Sequence, residues 1–311
     1  MIGGIYRKIP YNRFLYTMLS ILIPTYNYDC TLLVERLVKE ADDMKIDVEI
    51  LVADDASTDN NVRTAISALS GMKYCRIFMQ DKNGGRAYTR NFLAQHARYN
   101  HFLFLDADGM PVNEHFLSLY INEIGQSDVI CGSILHPEQC PSPFKTLRHR
   151  YEKEAEKRFT AVRRNKKAYA SFRSFNFMIT REAFRATRFD EDFKDYGYED
   201  LLFGRQLKEH GFAVKHIENP MLNMDIEDND VFLSKVRESN FTLKKFYVKL
   251  REDSSLIHAY ELLGRLGLQH MAAWVFKFTE KGLTSQLIGV NPSLSFLKIY
   301  KLLHFASLMA E

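Results

Sequence analysis

From residue 18 onward, short apolar runs alternate with longer segments in which apolar residues recur every three or four positions. The apolar runs predict β-strands at residues 20–23, 48–53, 75–79 and 101–105. The segment after the first run places Leu33, Val34, Leu37, Val38 and Ala41 on one helical face. This alternation predicts an α/β fold, a mostly parallel sheet flanked by helices, with a further short strand at 128–132.

Each of the first four predicted strands leads into a loop whose residues could bind a ligand. Ligands of open α/β sheets bind beyond the carboxyl ends of the strands, so we expect these loops to meet at one crevice. The residues expected to line it are Pro24, Tyr26, Asn27, Asp54, Asp55, Asn83, Gly84, Arg90, Asn91, Asp106 and Asp108.

Asp106 and Asp108 stand two residues apart, directly after a buried run, so both carboxylates can point the same way across the pleat. Mg²⁺ and Mn²⁺ are commonly held by one or two carboxylates together with substrate phosphates. A solvated Asp-x-Asp turn is the alternative, and the preceding strand favours the metal site. The pair therefore predicts a Mn²⁺ or Mg²⁺ cofactor that neutralises a diphosphate leaving group.

Asp54 and Asp55 follow the second strand and precede a helix that Ser57 or Thr58 could cap. The two aspartates could themselves be capping residues. A carboxylate at this edge can equally accept the imide N–H of uracil or a ribose hydroxyl, and Tyr26 could stack on the base. Further donors to base, ribose or phosphate would come from Asn83, Arg90 and Asn91.

Glu199 and Asp200 fall in the first turn of a predicted helix that ends near Gly211. The helix dipole favours acidic side chains there, which is a structural explanation in itself. Asp200 could instead be a general base that takes the proton from an acceptor hydroxyl, with Glu199 as the second candidate. The spacing leaves both interpretations open.

The 42 basic and 39 acidic residues leave a formal net charge of +3, too small to indicate a nucleic-acid partner. Residues 145–167 carry ten Lys/Arg and three Glu, and should attract phosphates, acidic glycans or anionic lipid unless they form an ordinary solvated helix. Four scattered cysteines without C-x-x-C spacing favour a reducing, cytoplasmic location. We find no pattern of an export signal or membrane span.

Five segments of the chain resemble glycosyltransferase family 2, in the order and approximate spacing seen there. They are residues 20–27 (SILIPTYN), 52–59 (VADDASTD), 83–91 (NGGRAYTRN), 104–108 (FLDAD) and 197–200 (GYED). The resemblance covers residues 18–230 approximately. It implies a GT-A fold and an inverting single displacement that moves a sugar from a nucleoside-diphosphate sugar, expected to be a UDP-sugar, to a glycan or lipid-linked acceptor.

The resemblance also implies roles for individual residues. Asp55 and Tyr26 would contact the nucleobase, and Asp200 would be the base. Asp106 and Asp108 would contact the ribose, the metal and the diphosphate. The chain departs from the family pattern at Asn223, near which a metal-binding histidine is often found, and His216 is offset from that place.

We expect four regions along the chain: an N-terminal extension (1–17), a nucleotide-sugar-binding half (18–110), an acceptor and base half (111–230) and a helical region (231–311). The last helix has an apolar face edged by Lys298 and Lys301, which predicts peripheral membrane association unless the face packs on the protein or on a dimer partner. That face is Leu294, Phe296, Leu297, Tyr300, Leu303 and His304.

Two other functions fit part of the pattern. A nucleotidyltransferase would share the sheet and the Asp-x-Asp site, but it would need a Gly-rich phosphate loop that the first loop lacks. A non-catalytic glycan-binding or membrane-associated protein would retain the acidic residues as caps. Release of nucleoside diphosphate, of pyrophosphate or of neither product distinguishes the three.

Overall fold

The computed structural model describes residues 18–192 and 196–311, so the predicted extension 1–17 lies outside the described residues. The strands are β1 (Met18–Thr25), β2 (Asp47–Asp54), β3 (Cys75–Met79), β4 (His101–Leu105), β5 (Gly109–Pro111), β6 (Val129–Leu135), β7 (Asn176–Thr180) and β8 (Val214–Asn223). The helices of the α/β part are α1 (Thr31–Met44), α2 (Asn60–Ala68), α3 (Arg86–His96), α4 (Phe116–Glu123), α5 (Thr146–Glu156), α6 (Ala161–Asn165), α7 (Arg181–Thr187) and α8 (Glu199–Glu209). The C-terminal helices are α9 (Asn229–Lys245), α10 (Tyr247–Leu250), α11 (Ser255–Arg265), α12 (Gln269–Ile288) and α13 (Leu294–Ala310).

The strands form one eight-stranded sheet in the order β3-β2-β1-β4-β7-β6-β8-β5. The predicted parallel half is confirmed, because β1 pairs in parallel with β2 and β4, and β2 with β3. β7 runs antiparallel between β4 and β6, while β5 runs antiparallel to β8. The ends of β1, β2 and β4 therefore lie at one edge, and the predicted halves 18–110 and 111–230 share a single sheet.

Alternation along the strands divides the core between the two faces of the sheet. Ile21 and Ile23 of β1 pack with Leu33 and Leu37 of α1 on one face. On the other face an aromatic cluster joins the strands to α7 and α8, and its members include Phe104, Phe177, Phe184, Phe189 and Phe203. Phe203 lies one turn after the start of α8, so this cluster fixes the position of that helix start.

The cap of α2 differs from the prediction. Asp59, rather than Ser57 or Thr58, accepts the backbone N–H groups of Asn61 and Val62. The hydroxyls of Ser57 and Thr58 are unavailable for capping because they bind Asp54 and Asn27, respectively.

The apolar face of α13 predicted to meet a membrane is largely buried inside the protein. Leu297 and Tyr300 pack with residues of α9 and α12, and the His304 ring lies against Phe276 of α12. Packing onto the protein body, the stated alternative, therefore accounts for this face. No helix in the described part of the chain is long and apolar enough to cross a membrane.

The basic stretch 145–167 is partly neutralised by ion pairs. Arg148 pairs with Glu152 and Glu227, and Lys153 pairs with Glu138 and Glu156. A second group remains exposed around α6: Lys157, Arg158, Arg163, Lys166 and Lys167. This second group, together with the exposed Arg150 of α5, is accessible to the anions that the sequence predicted.

Candidate active site

The loops after β1, β2 and β3 are joined by hydrogen bonds at the carboxyl edge of the sheet. The Asp55 backbone N–H donates to the carbonyl of Thr25 (2.9 Å), and the Asn27 N–H donates to Ser57 Oγ (2.7 Å). Gly84 N–H donates to Asp55 Oδ1 (2.8 Å), which brings in the loop after β3. The predicted convergence of these loops is thus present in the structure.

Asn27 and Asp54 are used to build these loops. Asn27 has a positive φ of 51°, and its side-chain oxygen accepts from the backbone of Thr58 (2.8 Å) and Asp59 (3.1 Å). Asp54 is fully buried, accepts from Ser57 and forms an ion pair with Arg63 at 3.1 Å. Both predicted donor-binding side chains therefore already have protein partners, and a contact with a donor stays a prediction.

Asp55 holds the glycine turn that opens α3. Its two carboxylate oxygens accept from the backbone N–H groups of Gly84 (2.8 Å) and Gly85 (2.9 Å), and Asn83 donates to its carbonyl (3.0 Å). A Cβ at Gly84 would lie 2.3 Å from the ring of Tyr88, so a side chain there would displace that ring. Each carboxylate oxygen of Asp55 retains a lone pair for a ligand donor.

Two residues at the ends of this region differ in availability. Tyr26, which follows Pro24 at the end of β1, is 48% exposed and can offer its ring to a base. Asn91 is buried, donates to the Phe189 carbonyl (2.9 Å) and Glu191 (2.8 Å), and accepts from Phe189 N–H. The Asn91 amide anchors the segment that leads to α8, and its NH₂ group already donates to two protein oxygens. No N–H of this side chain is therefore free for the predicted contact with a sugar donor.

Arg90 connects α3 to the loop after β4. It is almost fully buried, donates from Nη2 to Asp106 Oδ1 at 2.7 Å, and has its guanidinium 5.1 Å from the ring centroid of Phe189. Its Nε and Nη1 have no hydrogen-bond partner among the described residues. Arg90 therefore fixes one oxygen of the Asp106 carboxylate, and two of its buried nitrogens have no partner among the described residues.

Asp108 is half-buried beside Asp106. Burial and the negative charge of Asp106 raise the pKa of Asp108 to about 7, although Arg86 acts in the opposite direction. Burial raises the pKa of Tyr28, and the negative charges of Asp108 and Asp225 raise it further. Two neighbouring carboxylates with insufficient countercharge are a suitable donor set for a divalent cation that also binds phosphate oxygens.

The protein supplies only part of a coordination shell at this place. No group of three or more His, Cys, Asp or Glu side chains within the described ranges is arranged to hold a metal. The residues present therefore fit a cation held by one or two carboxylates with phosphate oxygens, rather than an all-protein cage.

His216 and Asn223 can now be placed. His216 is buried, donates from Nε2 to the Ala168 carbonyl (2.8 Å) and accepts from Arg164 at Nδ1 (3.0 Å), so both ring nitrogens are occupied. His216 therefore has no free ring nitrogen for a metal, in agreement with its offset from the position at which the family often has a histidine. Asn223 pairs with Gly109 across β5 and β8, next to Asp108, and its Oδ1 accepts from Asp225 N–H (2.9 Å).

Glu199 and Asp200 begin α8 as predicted, after two residues with positive φ, Gly197 (102°) and Tyr198 (69°). A non-glycine residue in the left-handed region, such as Tyr198, costs about 1–3 kcal/mol. The positive φ values of Gly197 and Tyr198 turn the chain into α8. Asp200 Oδ1 is buried and has no hydrogen-bond partner in the described part of the protein. An unsatisfied carboxylate oxygen at a helix start can accept a proton or a hydroxyl donor.

The charge of Arg86 interacts with the acids after β4 and with Glu199 of α8, and the sequence patterns gave Arg86 no role. Desolvation would lower its pKa, but the charges of Asp106, Glu199 and Asp108 raise it. Burial and the Asp200 charge raise the pKa of Glu199, and Arg86 counteracts them. The position of Arg86 in the segment NGGR, at the start of α3, was the sequence signal that could have identified it. Asp225 was missed because it lies beyond every quoted motif.

The fold and this arrangement of loops are those of a GT-A glycosyltransferase. The family description "Glycosyl transferase family 2" matches residues 20–188, and the chain belongs to that family. Membership supports glycosyltransferase activity over the nucleotidyltransferase and non-catalytic alternatives.

Relatives and solved structures agree with this assignment. An uncharacterized glycosyltransferase of Haemophilus influenzae is 27% identical over 31% of this chain and 38% of its own length. Glycosyltransferase GlyG of Streptococcus pneumoniae is 24% identical over 41% of this chain and 42% of its own. The matches thus span less than half the length of either relative.

Among solved structures, Mannosyltransferase PcManGT from Pyrobaculum calidifontis, in complex with GDP-Man and Mn²⁺, superimposes with a TM-score of 0.57 at 14% identity, over 94% of this chain and 85% of its own. S. aureus TarS 1-349 in complex with UDP-GlcNAc gives a TM-score of 0.50 at 18% identity, over 71% of this chain and 65% of its own. At these identities the likeness establishes the fold alone.

Proposed function

We propose that this glycosyltransferase transfers a sugar from a nucleoside-diphosphate sugar, expected to be a UDP-sugar, to a glycan or lipid-linked saccharide, with inversion at the anomeric carbon. The observation that carries the proposal is the grouping of Asp106 and Asp108 with Arg86 and the acids of α8. A nucleotide-sugar donor is supported by the donors bound in the two solved structures, UDP-GlcNAc and GDP-Man.

The donor would lie across the carboxyl edge of the sheet. The exposed ring of Tyr26 would stack on the base, and Asp55, held by its glycine turn, would accept a base or ribose hydrogen bond. Asp106 would be oriented by Arg90 toward the ribose and diphosphate. These side chains provide the binding and orientation that convert the donor into a positioned electrophile.

Mn²⁺ or Mg²⁺ is the proposed cofactor, held by Asp108 and Asp106, and it would supply charge neutralisation for the departing diphosphate. Arg86, whose charge interacts with the same carboxylates, would add a fixed positive charge. The Mn²⁺ in the mannosyltransferase complex supports the use of a divalent cation in this fold.

In the proposed step, the acceptor oxygen bonds to the anomeric carbon while the bond from that carbon to the diphosphate oxygen breaks. The acceptor proton passes to Asp200, whose Oδ1 has no partner in the described residues, and the nucleoside diphosphate leaves with the bonding electron pair. Glu199, whose pKa is raised by burial and by Asp200, is the alternative base.

We also propose a cytoplasmic location with peripheral contact to the membrane. The four cysteines, Cys30, Cys75, Cys131 and Cys140, are free thiols, as suits a reducing compartment. The exposed basic residues around α6 could attract anionic lipid.

A release assay tests the proposed transfer. Purified protein is incubated with a panel of UDP- and GDP-sugars with Mn²⁺, and nucleoside diphosphate is measured with and without candidate acceptors. We expect release from one donor class, and its loss in chelator and in Asp108→Asn. Asp81→Asn, at an exposed acid near the same edge, is the matched control and should retain activity. Activity that persists in chelator refutes the metal role, and release of pyrophosphate from triphosphates refutes the transfer.

A further inference from the structure

The outward surface of α12 exposes large apolar side chains that the α/β fold leaves uncovered. Met271, Trp274 and Phe278, spaced at i, i+3 and i+7, are 53%, 60% and 70% exposed. The Trp274 and Phe278 rings contact each other with centroids 4.6 Å apart. The opposite side of the helix is also apolar, since Phe276 and Leu287 are buried against α9 and α13 and Ala272 is buried as well. We call Met271, Trp274, Phe278, Lys277 and Lys281 the α12 outer face.

The charges of this face are all positive. Lys277 and Lys281, one turn apart beside the aromatic residues, have no ion-pair partner in the described part of the chain. The neighbouring acid on the helix, Glu280, is directed to Arg237 at 3.5 Å. Glu311 lines a pocket of about 210 Å³ with Trp274 and Lys277, and it is the one acid among that pocket's lining residues. The face therefore combines apolar area with net positive charge.

We propose that the α12 outer face docks on an anionic lipid surface. An exposed apolar patch marks a contact with protein or membrane, and a helix surface that presents Trp and Phe edged by lysines suits a membrane interface. A symmetric contact between two copies would bring four lysines of like charge into one interface, which costs energy. Anionic headgroups instead attract them, so charge complementarity selects the lipid surface.

This inference deepens the proposed peripheral location and moves it to a different surface. The α13 face predicted from the sequence is largely buried, whereas the α12 outer face is open to solvent. α12 has 20 residues and no helix in the described segments could span a bilayer, so contact would be made by a helix lying along the surface. A lipid-linked acceptor would be encountered at that same surface.

Fluorescence offers a direct test because Trp274 is the only tryptophan of the chain. With vesicles of phosphatidylcholine and phosphatidylglycerol, we expect a blue shift of its emission, quenching by brominated lipid chains and flotation of the protein. Vesicles of phosphatidylcholine alone should bind far less. The double variant Lys277→Glu/Lys281→Glu should lose at least about 30-fold in partitioning, about fivefold for each lysine neutralised. Phe278→Ser should weaken binding while Trp274 still reports.

Two control variants make the result specific. Val162→Ser alters a 73% exposed apolar residue on α6, and Lys166→Glu/Lys167→Glu alters exposed charges of the basic stretch. Val162→Ser should bind like the wild type, and the α6 lysine variant should lose far less binding than the α12 lysine variant. Unchanged Trp274 emission with anionic vesicles, binding lost only in the α6 variants, or a lipid-free dimer that already shields Trp274 each overturns the proposal. Nucleoside diphosphate release is measured in parallel: docking without release refutes the proposed transfer alone, and release without docking refutes this inference alone.

Discussion

The loops after β2 and β4 each place two acidic residues at the carboxyl edge of one sheet, yet the two pairs differ in their partners. Asp54 accepts hydrogen bonds from Ser57 and Arg63, and Asp55 accepts them from the backbone of Gly84 and Gly85 in the loop after β3. Asp106 has one arginine, and Asp108 has a raised pKa because it is buried beside another carboxylate. The first pair organises the edge of the sheet. The second pair retains charge that a cation or phosphate-bound metal would neutralise.

Asp200 lies on the proposed acceptor side of the site, and its substitution should have the largest effect on the transfer rate. Asp200→Asn should fold normally and bind donor, but lose about 10²–10⁴-fold in transfer rate, the range for removal of a general base. Glu209→Gln, at an exposed position on the same helix, is the matched control for steady-state assays. Near-normal transfer by Asp200→Asn, together with a large loss in Glu199→Gln, would assign the base to Glu199.

Asp108→Asn should abolish most of the metal-dependent rate, by at least about 10²-fold, because charge neutralisation of the leaving group is worth several kcal/mol. Turnover is measured against Mn²⁺ concentration, which separates weaker Mn²⁺ binding from a lower rate at saturating Mn²⁺. Excess Mn²⁺ that restores full activity would indicate a minor role for this carboxylate.

The same substitution made in each acidic pair should have opposite effects on stability. Asp54→Asn should lower the free energy of unfolding by about 1–3 kcal/mol, since Asp54 is buried with Arg63 and Ser57. Metal-free Asp108→Asn should instead raise it by about 1–3 kcal/mol at pH 8. Denaturant unfolding measures both, and a loss of stability in Asp108→Asn at pH 8 would contradict the comparison.

The pH dependence of that gain follows from the raised pKa of Asp108, about 7. An acid whose folded-state pKa is raised lowers stability as pH increases from its unfolded value, about 3.9, through 7. The stabilisation by Asp108→Asn should therefore be complete at pH 8 and disappear toward pH 4. Equal stabilisation at both pH values would mean that ionisation of Asp108 is not its cause.

Asn223→His is expected to have the smallest effect. Asn223 lies beside Gly109 and Asp108, and an imidazole there is a better Mn²⁺ ligand than an amide oxygen. Mn²⁺ should bind about tenfold more tightly in the nucleotide complex, as measured by calorimetry. No change would place residue 223 outside the coordination shell.

Much of this fold could be predicted because the parallel half has continuous apolar strands. Residues 75–79 and 101–105 coincide with β3 and β4. β5 has three residues, and β8 includes Glu218, Asn219 and Pro220, so neither shows an apolar run. The burial of the α13 face could not be predicted either, because an amphipathic helix has the same spacing of apolar residues whether it packs on protein or on lipid.

The candidate site was predicted in its residues but not in their partners. Sequence motifs indicated Asp55, Asp108 and Asp200, yet they could not show that Asn91 anchors the 189–191 segment or that Asp54 is buried. These motifs assigned no role to Arg86, because its charge interacts with acids that are over 90 residues apart in the chain. Such contacts depend on how distant segments pack.

The central claim is that Asp106 and Asp108 form an incomplete metal site that the donor diphosphate completes. Titration of Mn²⁺ by calorimetry, with and without UDP, tests it most directly. The account predicts weak Mn²⁺ binding by the protein alone, binding at least about tenfold tighter with UDP, and loss of that increase in Asp108→Asn. Equally tight binding with and without UDP would contradict it.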